Sequence, residues 1–207
     1  LKAAPNGWVM EYYIGKDYSL GGITLLCRFD GQRVTMASQM SEADETVSSL
    51  YSVKSEQATM LSFDTYNYLV HYFGQPQGSM SDDPNGTLGG DYEFIISSAS
   101  AERIELKGKK YGNRIVMKAL TEDQTWKQYL TKIKKVEDDA FFYEYDLLMD
   151  GLYTGQMIRS NYTFIVTYYD EIGKVHQKTV PFMFTADGLR FHEPVTIDGQ
   201  TMQNFVW

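Results

Sequence analysis

GGDYEFIISSASAERIELKGKKYGNRIVMKAL, residues 89–120, holds three strand-like runs separated by two short breaks. Tyr92, Phe94 and Ile96 fall on one face of the first run, Glu93 and Ile95 on the other. Ile104 and Leu106 alternate with Glu105 and Lys107 in the second run. Ile115 and Met117 alternate with Val116 and Lys118 in the third. Successive strand side chains point to opposite faces, so this period of two predicts a sheet with one face in a core. Tyr111-Gly112-Asn113 supplies residues that tolerate positive φ, as a tight hairpin requires. The stretch therefore predicts an antiparallel meander.

The pattern extends toward the N-terminus. Pro5-Asn6-Gly7 turns the chain into WVMEYYI, residues 8–14, whose alternation is imperfect. Gly21-Gly22 precedes ITLLCRF, and Asp30-Gly31 marks a hairpin into RVTMASQ, residues 33–39. SEADE, residues 41–45, is expected to be a solvated loop. Two further strands are expected around 49–54 and 60–65. In YNYLVHYF, residues 66–73, Leu69, Val70 and Phe73 have helical spacing, which predicts one or two helical turns. Residues 74–90 are rich in Gly, Ser, Pro, Asp and Asn and predict a long exposed loop. About eight strands result over residues 8–120, the number a small closed barrel needs to fill its interior or hold one small ligand.

Residues 121–136 predict a helix. Trp126, Tyr129, Leu130 and Ile133 recur at its period. Thr121 and Gln124 have the spacing of a capping box, and Glu122, Asp123, Lys132, Lys134 and Lys135 are placed to suit the macrodipole. Strands are expected again at 141–148, 162–169, 175–184, 189–197 and 202–207, with turns at Asp187-Gly188 and Asp198-Gly199. Residues 162–184 loosely echo 23–37, a weak hint of repetition. The fold expected is all-β with one packed helix. A lipocalin-like antiparallel barrel of about eight strands (1–120) leads through an amphipathic helix (121–137) to a smaller second β unit (138–207).

Composition narrows the function classes. The 207 residues carry 19 basic and 27 acidic side chains, a net charge of −8. That sign disfavours nucleic acid and anionic lipid as partners. The aromatic content of 14% suits strands first, and stacking surfaces second. One cysteine, Cys27, excludes an internal disulfide. It lies in phase with Ile23, Leu25 and Phe29, which predicts a buried, unreactive thiol. No apolar run is long enough to span a membrane as a helix. The chain starts at Leu1 without a signal-like segment, so a targeting segment is expected either to have been removed or never to have existed.

No motif commits the chain to catalysis. His71, His176 and His192 lack ligand spacing, and HExxH, GxSxG and paired cysteines are missing, so no metal or cofactor is expected. Asp82-Asp83-Pro84-Asn85-Gly86 has cation-type oxygens without the spacing of a known loop, so an ordinary polar loop is expected. Asp64 and Glu93, set among aromatics, are the carboxylates a glycan hydrolase would use, although Glu93 is expected to face solvent. Tyr66, Tyr68, His71 and Tyr72 form the densest aromatic-polar cluster and are the candidate ligand-binding residues. Asn161-Tyr162-Thr163 fits a glycosylation sequon.

The residues NGWVMEYY (6–13), GGITLLCRFD (21–30), LSFDTYNYLVHYF (61–73), GGDYEF (89–94), IELKGKK (104–110) and GLRFHEPVTIDGQTMQNFVW (188–207) carry a resemblance across nearly the whole chain. They resemble the Bacteroides-type surface lipoproteins called domain of unknown function 4302. That resemblance implies an exported protein held at the cell surface or outer membrane by a lipid on a cysteine of a missing N-terminal segment. Cys27, in the second strand, does not match that position. It further implies a non-enzymatic binder near nutrient-uptake systems, with a glycan, peptide or small amphipathic ligand and an outer-membrane transporter as a partner. The alternatives are a hydrolase acting on glycans and a structural subunit of an outer-membrane complex.

Overall fold

A computed structural model describes residues 1–55, 57–78, 81, 85–170, 172–197 and 199–207. Eight strands run β1 Trp8–Tyr13, β2 Gly22–Asp30, β3 Arg33–Ser38, β4 Val47–Ser55, β5 Thr59–Phe63, β6 Glu93–Ala99, β7 Arg103–Gly108 and β8 Arg114–Ala119. Each pairs antiparallel with the next, and β8 returns to β1 to close the barrel. Closure removes every free edge, so all eight backbone ladders are satisfied internally. Trp8, Met10, Tyr12, Leu25, Cys27, Val34, Phe94, Ile115 and Met117 fill the interior. The barrel is thus a packed core. Burial pushes the Cys27 thiol far above its usual pKa, which keeps it protonated and inert.

Six more strands form a curled second sheet: β9 Glu144–Met149, β10 Leu152–Ser160, β11 Thr163–Tyr169, β12 Val175–Thr185, β13 Gly188–Ile197 and β14 Gln200–Val206. They too follow chain order, with β9 and β14 at the edges. One face of this sheet packs on the outside of the barrel. Val9, Leu26 and Ala37, the outward residues of β1, β2 and β3, join Phe164, Phe182, Phe184 and Phe191 in one apolar cluster. The Phe164 and Phe182 rings stack at 4.3 Å. Strand β1 is therefore buried at all six positions. That explains its poor alternation in sequence, because a strand between two cores has no solvent face.

Gly21 marks the close crossing of the two layers. At φ +65°, a Cβ there would come within 2.6 Å of the carbonyl oxygens of both Tyr162 and Phe182. Only glycine permits both the conformation and the approach.

Two helices accompany the strands, α1 Tyr68–His71 and α2 Trp126–Asp139. Helix α1 with the following turn Tyr72–Gly74 drives Leu69, Val70 and Phe73 into one end of the barrel, as their spacing predicts. Asn67 caps it, accepting from the Leu69 amide at 3.1 Å. Helix α2 packs Leu130, Ile133 and Val136 into the inter-layer cluster.

Several sequence expectations need correction. Helix α2 starts at Trp126, and its capping box is Thr125 with Gln128, not Thr121 with Gln124. The Asn6 amide donates to the carbonyls of Thr121 and Gln124, at 2.7 and 2.9 Å, and holds that segment out of the helix. The helix also runs on to Asp139, so its last turn holds no basic residue, and Lys132, Lys134 and Lys135 fall short of it. Residues 141–143 precede β9 and do not belong to a strand. Strand β10 has no counterpart among the sequence expectations; Gly155 and its polar neighbours mask its alternation, and the register slips there against β9. The segment 74–90 is not simply exposed, since Thr87, Gly89 and Gly90 are buried and Leu88 packs on the barrel core. Tyr92 lies one residue before β6 and is 42% exposed, out of the core that takes Phe94.

Candidate functional site

The barrel end closed by α1 carries an aromatic surface. The burial of Leu69, Val70 and Phe73 fixes the other side of that turn toward solvent, where Tyr66, His71 and Tyr72 lie. His71 stacks face to face on Tyr92, with centroids 4.6 Å apart and planes 21° apart. Tyr66, 63% exposed, has its ring tilted toward His71 at 5.6 Å. The Asn67 carbonyl anchors the imidazole through Nδ1 at 3.0 Å. Burial holds the His71 pKa below its usual value, against the pull of hydrogen bonds to the backbone of Asn67 and Phe63. The ring is thus neutral near pH 7 and presents an aromatic face.

Of the four candidate residues, Tyr66 and His71 come together. Tyr72 is exposed nearby, its ring edge-on to Phe73 at 5.2 Å. Tyr68 turns away, its hydroxyl donating to Glu45 across a separate surface. The phase of Tyr92, the third member of the stack, with Phe94 predicts a core position that the structure does not give it. A sequence signal for its exposure was the Gly89-Gly90-Asp91 break directly before it.

Polar groups border this stack. The Phe63 amide donates to the Tyr92 carbonyl, which brings Asp64 and Glu93 to the barrel wall beside the aromatics. Lys54 Nζ lies 3.4 Å from Asp64 and 3.7 Å from Glu93, and Lys109 lies 3.0 Å from Glu93. Ser62 donates to Asp64 at 2.7 Å. Burial raises the Asp64 pKa, but the bonds from Ser62 and Lys54 outweigh it and hold the carboxyl below its usual value. Glu93 is half-buried on the outer wall rather than free in solvent. A cleft of about 110 Å³ between Tyr92, Lys110 and Tyr111 continues the surface.

The other histidines lie elsewhere. His176 pairs with Asp170 at 2.9 Å on the second sheet, and His192 sits between Tyr13 and Tyr18 where barrel and sheet meet. Among the described residues no group of three or more His, Cys, Asp or Glu side chains is arranged to hold a metal ion. Asp82, Asp83 and Pro84 of the cation-type loop lie outside the described residues, as does Asp198 of the last turn. Asn161 occupies the β10–β11 turn at φ +54°. Among the described residues no helix is long and apolar enough to cross a membrane.

The family model described as "Domain of unknown function (DUF4302)" matches residues 1–207. The chain belongs to that family. Neither curated proteins nor solved structures gave a match.

Proposed function

We propose that this chain is a non-enzymatic binding protein that takes a glycan on the Tyr66–His71–Tyr92 surface. The parallel His71–Tyr92 stack beside exposed Tyr66 carries this reading. Sugar rings present C–H faces to aromatic planes and hydroxyls to the acids and amines around them, and Asp64, Glu93, Lys54 and Lys109 supply those polar partners. The same ion pairs speak against glycan hydrolysis. A hydrolase needs one carboxyl kept protonated as the acid, whereas Asp64 is held ionised by Ser62 and Lys54. Placement at the cell surface or outer membrane on a lipid anchor, beside a nutrient transporter, belongs to this reading. The family resemblance is its support.

The test is a glycan array followed by calorimetry on the ligands found. Binding without release of reducing sugar is expected, weakened roughly threefold to tenfold in Tyr66→Ala and in Tyr92→Ala. Release of reducing sugar, or binding indifferent to both substitutions, overturns the proposal.

A second reading, as a subunit of an outer-membrane complex, draws on exposed Phe141, Phe142, Tyr143, Leu148, Leu152 and Tyr153 at the β9 edge. Copurification with a transporter that is lost in Phe142→Ser with Leu152→Ser would favour it.

A further inference from the structure

Between β1 and β8 of the barrel and β13 and β14 of the sheet lies a cleft of about 440 Å³. Its lining holds four cations, Arg103, Arg114, Lys118 and Arg190, against one carboxylate, Glu11. On a chain of net charge −8 this is a local reversal of sign. Glu11 bonds Lys118 at 2.8 Å and Arg190 at 2.5 Å, and Arg103 pairs with Glu105 at 2.8 Å. Arg114 has no ion-pair partner among the described residues and is exposed at the cleft.

The floor carries a second, independent sign of a ligand. His192 Nε2 is buried without a hydrogen-bond partner among the described residues, and the Tyr13 hydroxyl beside it has only the Arg190 guanidinium to turn to. Tyr13 is only 6% exposed, as is the His192 side chain. A buried polar atom left unpaired costs about 1–3 kcal/mol, and native proteins keep few of them. Their positions are well fixed. The His192 ring lies 4.5 Å from Tyr13 and 4.2 Å from Tyr18. Tyr18 and its neighbour Asp17 hold positive φ, +56° and +53°, conformations that non-glycine residues adopt rarely. A strained turn, an orphaned imidazole nitrogen and an unpaired guanidinium thus converge at one place.

We propose that this cleft binds the oxyanion of a small ligand, a carboxylate, sulfate or phosphate group, with Arg114 as its principal contact. The guanidinium fork matches paired oxygens, while Lys118 and Arg103 add to the attractive field at the cleft. Tyr13 and His192 form the polar floor beneath. The site is separate from the aromatic surface of the barrel end.

The experiment titrates the whole chain at low salt with inorganic sulfate, inorganic phosphate and glucuronate, with glucose as the neutral control. Saturable binding of at least one anion is expected, with a shift of the His192 imidazole resonances on its addition and weakening as salt rises. Arg114→Gln should weaken it about tenfold or more while leaving the melting temperature in place, and Lys127→Gln, on a distant surface, should leave it unchanged. The arms separate planar from tetrahedral anions. Failure of all three anions to bind, glucose binding equal to glucuronate, or full binding by Arg114→Gln each overturns the proposal.

Discussion

The Asp91 carboxylate fills the space that a side chain at Gly108 would need. A Cβ at 108 would overlap the Asp91 carboxylate itself and lie 2.8 Å from the Asn113 amide. The carboxylate accepts from the amides of Lys110, Tyr111 and Asn113, at 2.7, 3.1 and 3.3 Å, and so shapes the β7–β8 hairpin. Tyr12, inside the barrel, accepts from the Asp91 amide at 2.6 Å. Gly108→Ala should therefore cost about 2 kcal/mol or more by displacing a charged acceptor from buried donors. Urea denaturation measures this; an unchanged midpoint would show that the hairpin does not depend on that carboxylate.

Glu11 joins the two layers. It accepts from Lys118 of the barrel and from Arg190 of the sheet. The Arg190 side chain is 18% exposed and that of Lys118 is 41%. Removing Glu11 strands a mostly buried guanidinium, whereas removing Lys118 loses a well-solvated partner. Glu11→Ala should cost about 3–5 kcal/mol and Lys118→Ala about 1 kcal/mol or less. Equal shifts in chemical denaturation would refute the assignment of Arg190 as the buried partner.

Helix α2 gives a simpler contrast. Leu130 is fully buried in the inter-layer cluster, while Lys134 on the same helix is only partly covered. Burying a leucine is worth about 1.5–3 kcal/mol, and an aspartate in its place adds a desolvation cost. Leu130→Asp should lower Tm by roughly 6 °C or more, and Lys134→Asp by a small fraction of that. Comparable losses by calorimetry would detach the helix from its place.

His192 sets a pH dependence. Burial, aided by the positive charge of Arg114, holds its pKa below the usual 6.5. The unfolded chain then takes up a proton before the folded one. Stability from this group is complete above pH 6.5 and is lost as pH falls from there through the lower folded value. His192→Gln should show a flatter stability profile below pH 6.5 than the parent. Parallel profiles from pH 7 to 5 would contradict a buried neutral imidazole.

How far these features could be read beforehand depends on how many neighbours each strand has. Strands β7 and β8 keep one core face, so Ile104, Leu106, Ile115 and Met117 announced it by period two. In β1 the outward Val9 is buried along with the inward Met10, and the period disappears. Strand β10 is illegible in sequence because Gly155, packed against the Thr167 backbone, replaces a side chain in its pattern. Tyr66 and His71 were readable because they are local to one turn. Tyr13, Arg114, Arg190 and His192 come from three strands far apart in the chain; closure of β8 on β1 brings the first two together, and packing of sheet on barrel adds the others.

The doubly covered strands have a consequence for dissection. A fragment ending at Leu120 would retain a complete ladder yet lay Val9, Leu26 and Ala37 open to water on a flank shaped to receive phenylalanines. Such a fragment should self-associate, and the remaining piece, deprived of its template, should collapse without its curl. Proteases acting on the intact molecule should therefore find no cut that releases a soluble barrel.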